Sequence, residues 1–216
     1  FSNIINRWKK KNFPERIPVF PLSGVIYFPK TNLPLNIFEN RYLELVKDCL
    51  NTNKLMGMVQ SKKNSSEVYS VGCLGKISDY KKTNDGRVLI NLTGLARFEI
   101  VKEINNDKLY REFEVRYEKF SEFDKNNESA KEKELDLLLE KTKFFFKKNG
   151  LLLDWNEFKK LNNFQQINTL SMIAPISNEE KQKLLEASTY NEKTKTFSEI
   201  IEFYLHDKSE NKMTIQ

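Results

Sequence analysis

Between Ile17 and Ile37 the apolar residues come in short runs broken by proline: Ile-Pro-Val-Phe-Pro-Leu, then Val-Ile-Tyr-Phe-Pro, then Leu-Pro-Leu-Asn-Ile. Proline has no N–H and a fixed φ, so it is excluded from the middle of a sheet. The stretch reads as short edge strands alternating with rigid turns. After Pro34 the spacing changes. Tyr42, Leu45, Val46, Cys49 and Leu50 recur at helical intervals, which predicts a helix opening near Phe38–Glu39. Leu55–Val59 and Tyr69–Tyr80 read as strands. Asn84-Asp85-Gly86 is a hairpin signal, because glycine tolerates the positive φ of a tight primed turn. Val88, Ile90 and Leu92 alternate after it, and Phe98, Ile100, Phe113, Val115 and Tyr117 continue the strand pattern.

Six of the seven glycines and five of the six prolines precede residue 95; the rest of the chain keeps only Gly150 and Pro175. Breaker-rich sequence followed by breaker-poor sequence predicts an α+β chain, with a β-rich part first and helices second. Leu135, Leu138, Leu139, Phe145 and Phe146 form a helical stripe that Gly150 should stop. One helix face cannot bury all of Phe144–Phe146, so one of the three is expected to be exposed. Asp154 is placed to cap a helix running through Trp155, Phe158, Leu161 and Ile167. Ser177 and Glu180 match a capping box. A last helix carries Phe197, Ile200, Ile201, Tyr204 and Leu205. The expected organisation is a lead over 1–16, a β-rich domain over 17–120, a polar linker over 121–133, a helical bundle over 134–206 and a tail over 207–216.

Five motifs in order carry a resemblance. They are Pro18-Val19-Phe20-Pro21-Leu22 with Phe28-Pro29; Leu33-Pro34-Leu35-Asn36-Ile37-Phe38-Glu39-Asn40-Arg41-Tyr42; Val71-Gly72-Cys73-Leu74-Gly75-Lys76-Ile77; Asp85-Gly86-Arg87 with Gly94-Leu95-Ala96-Arg97-Phe98; and Pro175-Ile176-Ser177 with Glu180-Lys181-Gln182-Lys183-Leu184-Leu185-Glu186. From Ile17 to about Glu186 the chain resembles the Lon N-terminal domain family, in the form its stand-alone members take. The resemblance implies a PUA-like pseudo-barrel followed by a helical bundle. It implies a module that recognises polypeptide, unfolded chains included, and that is linked functionally to a protease.

Composition narrows the chemistry. No apolar run approaches the ~20 residues a membrane span needs. Cys49 and Cys73 fall on a helix pattern and a strand pattern, and read as buried thiols of a protein in a reducing compartment, hence cytoplasmic. The net charge is +6, but 36 basic residues are interspersed with 30 acidic ones, which reads as a solvated surface. The competing reading is an RNA-binding module, since PUA-like folds include such members. RNA recognition favours arginines and aromatics interleaved on one face, and the basic residues here are mostly lysine, so nucleic acid is disfavoured.

Neither metal, cofactor nor catalytic residue is expected. His206 is the one histidine, and no cysteine pair has zinc spacing. Gly72 to Ser78 superficially looks like a phosphate loop, but it has two residues between its glycines where four are needed, and Ile after the lysine. Neither a Walker motif nor the Gly-Pro-Ser-Ala-Gly nucleophile loop of the Lon peptidase occurs in the 216 residues. The candidate partner-contact residues are Tyr27, Phe28 and Pro29, as core or groove wall, and Glu39, Asn40 and Arg41, as helix-opening ion pair or contact patch. Arg97 reads as the anchor of a carboxylate or carbonyl inside the sheet.

Overall fold

The computed structural model describes residues 13–120 and 132–210. The proline-broken stretch forms two strands, β1 (Arg16–Leu22) and β2 (Asn32–Ile37), with the Ile26–Lys30 crossing between them. Helix α1 (Asn40–Asn51) follows, with Glu39 in the N-cap position. Its apolar stripe Tyr42, Leu45, Val46 and Cys49 is buried against the sheet. Strands β3 (Leu55–Gln60), β4 (Val71–Lys82), β5 (Val88–Ile104) and β6 (Arg111–Arg116) complete the first half.

The sheet order is β2-β5-β4-β3-β1-β6, and β6 also pairs with β5. The long strand β5 makes this possible. Along one edge its first part pairs with β2, from Val88 to Thr93, and its last part with β6, from Glu99 to Ile104. Along the other edge it pairs with β4, with register shifts at Leu74/Gly75 and Ile77/Asp79. Such irregularities bend strands enough for closure. Strands β5, β4, β3, β1 and β6 thus close a barrel, and β2 extends it as a flap. The Gly72–Ser78 stretch lies within β4, so it forms no phosphate-cradling loop.

The β4–β5 turn differs from a primed hairpin turn. Gly86 N–H donates to the Thr83 carbonyl, and only Gly86 of the turn has positive φ, at +86°. That is an ordinary β-turn closed by a left-handed glycine. Gly150, at φ +71°, ends the first long helix as expected. Neither glycine would meet an atom within 4 Å if given a Cβ, so substitution there costs backbone strain alone. Gly86→Val should therefore cost about 2 kcal/mol, because a β-branched residue resists positive φ. Gly150→Ala should cost about 1 kcal/mol. Denaturant midpoints would check the order; a larger loss at Gly150 would contradict it.

The helical half comprises α2 (Glu132–Lys148), α3 (Trp155–Lys159), α4 (Asn163–Ile173), α5 (Asn178–Glu186) and α6 (Tyr190–Glu210). Asp154 caps α3 by accepting from Asn156 and Glu157 N–H, and Ser177 with Glu180 forms the capping box of α5. The expected single helix from Trp155 to Ile167 is instead two. Asn162 and Gln165 form a second capping box, which starts α4 afresh after α3 has ended. Of the phenylalanine run, Phe145 and Phe146 are buried and Phe144 is exposed. The expected lead and linker fall largely on residues 1–12 and 121–131, outside the described residues.

The two halves share a core. Ile26, Phe28, Val71 and Phe120 from the β-rich half pack in one cluster with Phe145, Ile167, Leu170, Leu184 and Phe197 of the helices. Polar side chains fasten the seam. Arg97, fully buried on β5, donates from one terminal nitrogen to the Leu185 and Ala187 carbonyls at the end of α5, at 2.8 and 2.7 Å. Gln182 donates to the Val71 carbonyl at 3.1 Å. Asn168 donates to the Pro29 carbonyl and accepts from Lys193. Arg97 is thus a carbonyl anchor, but for carbonyls of the helical half rather than of the sheet.

Candidate functional site

The proposed contact residues separate into two groups. Tyr27, Phe28 and Pro29 are buried. Tyr27 packs with α1 and the inner face of the sheet, and Phe28 joins the shared core with the helices. Burial raises the Tyr27 phenol well above its ordinary pKa. The structure thus places these three residues in the core, Phe28 in the cluster shared with the helices and Tyr27 in the cluster of α1 and the sheet. Glu39, Asn40 and Arg41 are exposed at the opening of α1. The Glu39 carboxylate makes no capping hydrogen bond; it pairs with Arg41 at 2.7 Å, and the Arg41 guanidinium lies 4.5 Å from the centre of the Tyr42 ring. Burial raises the Tyr42 phenol and the neighbouring Arg41 charge opposes that.

The exposed helix opening continues directly from β2, the strand formed by the Leu33–Ile37 end of the proline-broken stretch. Leu33 and Leu35 are half-buried on its inner face, while Asn32, Pro34 and Asn36 are exposed on the other. Phe38, one residue past the strand, is 64% exposed, and Leu89, opposite Asn36, is 42% exposed. Strand β2 pairs only with β5, so its other edge is open among the described residues. The Leu-Pro-Leu-Asn-Ile alternation was the available signal. It marks an edge strand, but which edge stays open depends on pairings distant in sequence.

Other parts of the molecule are less suited to hold a ligand. A shallow cleft of about 320 Å³ between α5 and α6 is lined by Glu180, Lys183, Thr196, Glu199, Ile200 and Phe203. Glu180 there is already engaged by Ser177 and Tyr204. Hydrogen bonds from Arg116, Arg111 and Lys141 hold the Glu99, Glu103 and Glu202 carboxyls below the usual range, the signature of surface ion pairs rather than of a proton donor. Burial pushes the Cys49 thiol up to about 12, away from a reactive thiolate. No cluster of metal-ligating side chains occurs among the described residues. Nor is any described helix long and apolar enough to cross a membrane.

The architecture is an α+β barrel with an appended helical half and one sheet edge left open among the described residues. Residues 16–202 match the family described as the ATP-dependent protease La (LON) substrate-binding domain, and the chain belongs to that family. Relatives include the Lon protease of Campylobacter jejuni, 28% identical over 137 residues, which are 62% of this chain and 17% of that protein. Lon protease 2 of Myxococcus xanthus is 25% identical over 99 residues, 43% of this chain and 12% of that one. The chain thus matches only 12–17% of the length of these relatives. Among solved structures, the Lon N-terminal domain protein from Xanthomonas campestris superposes with a TM-score of 0.61 at 20% identity, covering 88% of this chain and 97% of that one. The N-terminal domain of the Mycobacterium avium complex Lon protease gives 0.65 at 14% identity, covering 87% and 98%. At these identities the likeness establishes the shared fold.

Proposed function

We propose that this chain is a non-catalytic module that binds polypeptide, unfolded segments above all, and serves a proteolytic system as its substrate-recognition part. The observation that carries this reading is the open β2 edge with its half-buried Leu33 and Leu35, in a family named for substrate binding. Exposed Phe38, Glu39, Asn40 and Arg41 give the surface an apolar centre and a charged rim, the usual make-up of a protein-binding patch. The two cysteines, Cys49 and Cys73, are buried and form no disulfide, which supports a reducing, cytoplasmic setting.

Apolar burial does not depend on released counterions, whereas each neutralised phosphate does. The purified protein should bind reduced, carboxymethylated lactalbumin with an affinity that changes less than about threefold between low and moderate salt. Binding to single-stranded RNA should be weak and fall more than about tenfold over the same series. ATP turnover and casein cleavage should stay at background. Fluorescence anisotropy across the salt series checks the first two; salt-tolerant RNA binding without binding to the unfolded protein would overturn the reading.

A further inference from the structure

We propose that the free edge of β2 takes up an extended polypeptide segment as an additional strand of the sheet; this rests on the polypeptide-binding reading and specifies its mode. The hydrogen-bond phase of β2 shows which backbone groups are on offer. Gly94 N–H donates to the Thr31 carbonyl at 2.9 Å, just before the register Leu33↔Leu92, Leu35↔Ile90, Ile37↔Val88 begins. Bonded pairs alternate along antiparallel strands, so Leu33, Leu35 and Ile37 turn their backbone groups toward β5. Asn32, Pro34 and Asn36 turn theirs outward. Pro34, which has no N–H to give, sits in the outward set, as this phase requires. No described residue hydrogen-bonds to those outward groups. The edge therefore presents donors and acceptors at Asn32 and Asn36, and one acceptor at Pro34.

This row selects its occupant. Two copies pairing through β2 about a two-fold axis at Pro34 would set proline against proline, two carbonyls facing each other without a donor. An incoming strand with any other residue at that place donates its N–H to the Pro34 carbonyl. In that register the edge disfavours self-pairing, while heterologous pairing stays open. Side chains of the added strand would alternate, one set lying beside Leu33 and Leu35, the other beside Asn32, Pro34 and Asn36. The ligand class is a segment of about the six residues of β2 itself, free of proline opposite Pro34, with apolar residues at every second place. Apart from edge strands, which proteins commonly blunt or cover, strands of folded proteins have their backbone groups already paired, so this mode discriminates in favour of unfolded chains.

The test uses Asn36→Pro, which deletes an outward N–H without touching a bond to β5, and Asn36→Ala, which keeps the N–H and removes only the side chain. The probe is a short fluorescent peptide of alternating threonine and valine. Asn36→Pro should weaken binding about threefold to tenfold, the worth of one hydrogen bond, with an unchanged denaturant midpoint, and Asn36→Ala, which loses only a side-chain contact, should weaken it clearly less. On the wild-type protein, hydrogen exchange read by NMR should show the Asn32 and Asn36 amides gaining protection when the peptide is added. If the wild type binds but neither amide is protected, or the proline variant binds equally well, strand addition is refuted while polypeptide binding stands. If the wild type binds neither the peptide nor the unfolded protein, both readings fall. A dimer that Asn36→Pro dissociates would assign the edge to self-association and refute the proposal as well.

Discussion

Arg97→Ala is expected to lower the unfolding free energy by about 3–4 kcal/mol, measured from urea midpoints at constant slope. The guanidinium is fully buried, lies 4.1 Å from the centre of the Phe120 ring, and holds the Leu185 and Ala187 carbonyls beyond the end of α5. A hydrogen bond to a charged group contributes about 1.5–3 kcal/mol, and a buried carbonyl left without a partner costs a similar amount. Two such carbonyls and the lost packing of the side-chain stem act together. Relief of the guanidinium's own desolvation offsets part of the loss, which places the expectation near the lower end of the sum. Arg97→Met should recover the stem packing and still leave the carbonyls bare. Because those carbonyls belong to the helical half and Arg97 to the barrel, limited proteolysis should cut the helical half faster in both variants. A loss below about 1 kcal/mol would mean that water replaces the guanidinium at the seam.

The features legible in the sequence are those set by neighbours a few residues apart. The apolar spacing from Tyr42 to Cys49 fixed α1, and Asp154, Ser177 and Gly150 mark helix ends where the structure has them. The Asn162–Gln165 box obeys the same chemistry as Ser177–Glu180, and it separates α3 from α4 where apolar spacing alone joins them. Features set by distant contacts were less accessible. Nothing local to Val88–Ile104 says that one strand serves β2 with one part and β6 with the other. Tyr27-Phe28-Pro29 is apolar enough for a core or a groove, and only the helices packed over it decide for the core. Arg97 was recognisable as an anchor, while its partners, some ninety residues on, were not. The open edge of β2 belongs to the same kind. Proline at position 34 excludes a central strand, but which edge stays free depends on the whole barrel.

Gly94→Ala is expected to be as damaging, at about 3 kcal/mol or more, although it adds one methyl group. A Cβ at Gly94 would lie 2.3 Å from the Phe28 carbonyl oxygen and 3.1 Å from the Pro29 Cα, so the obstacle is backbone rather than a side chain that could rotate. That backbone cannot retreat easily. Lys30 N–H donates to the Gly94 carbonyl at 3.0 Å and Gly94 N–H to the Thr31 carbonyl at 2.9 Å, which ties the crossing to β5 on the near side. On the far side the Pro29 carbonyl accepts from Asn168 at 3.0 Å, and Phe28 is fully buried in the helical core. Displacing the crossing would break hydrogen bonds worth about 1 kcal/mol each and disturb Phe28 packing. Gly75→Ala is the informative comparison, since a Cβ there would press on the Leu92 side chain at 2.5 Å rather than on a backbone oxygen. Urea midpoints should show the larger loss at Gly94. The crossing also leads straight into β2, so Gly94→Ala should loosen the strand proposed to receive polypeptide and weaken peptide binding under conditions where the barrel remains folded. Equal stability of the two glycine variants would show that the crossing can shift without strain, and that the clamp between β5 and α4 is slack.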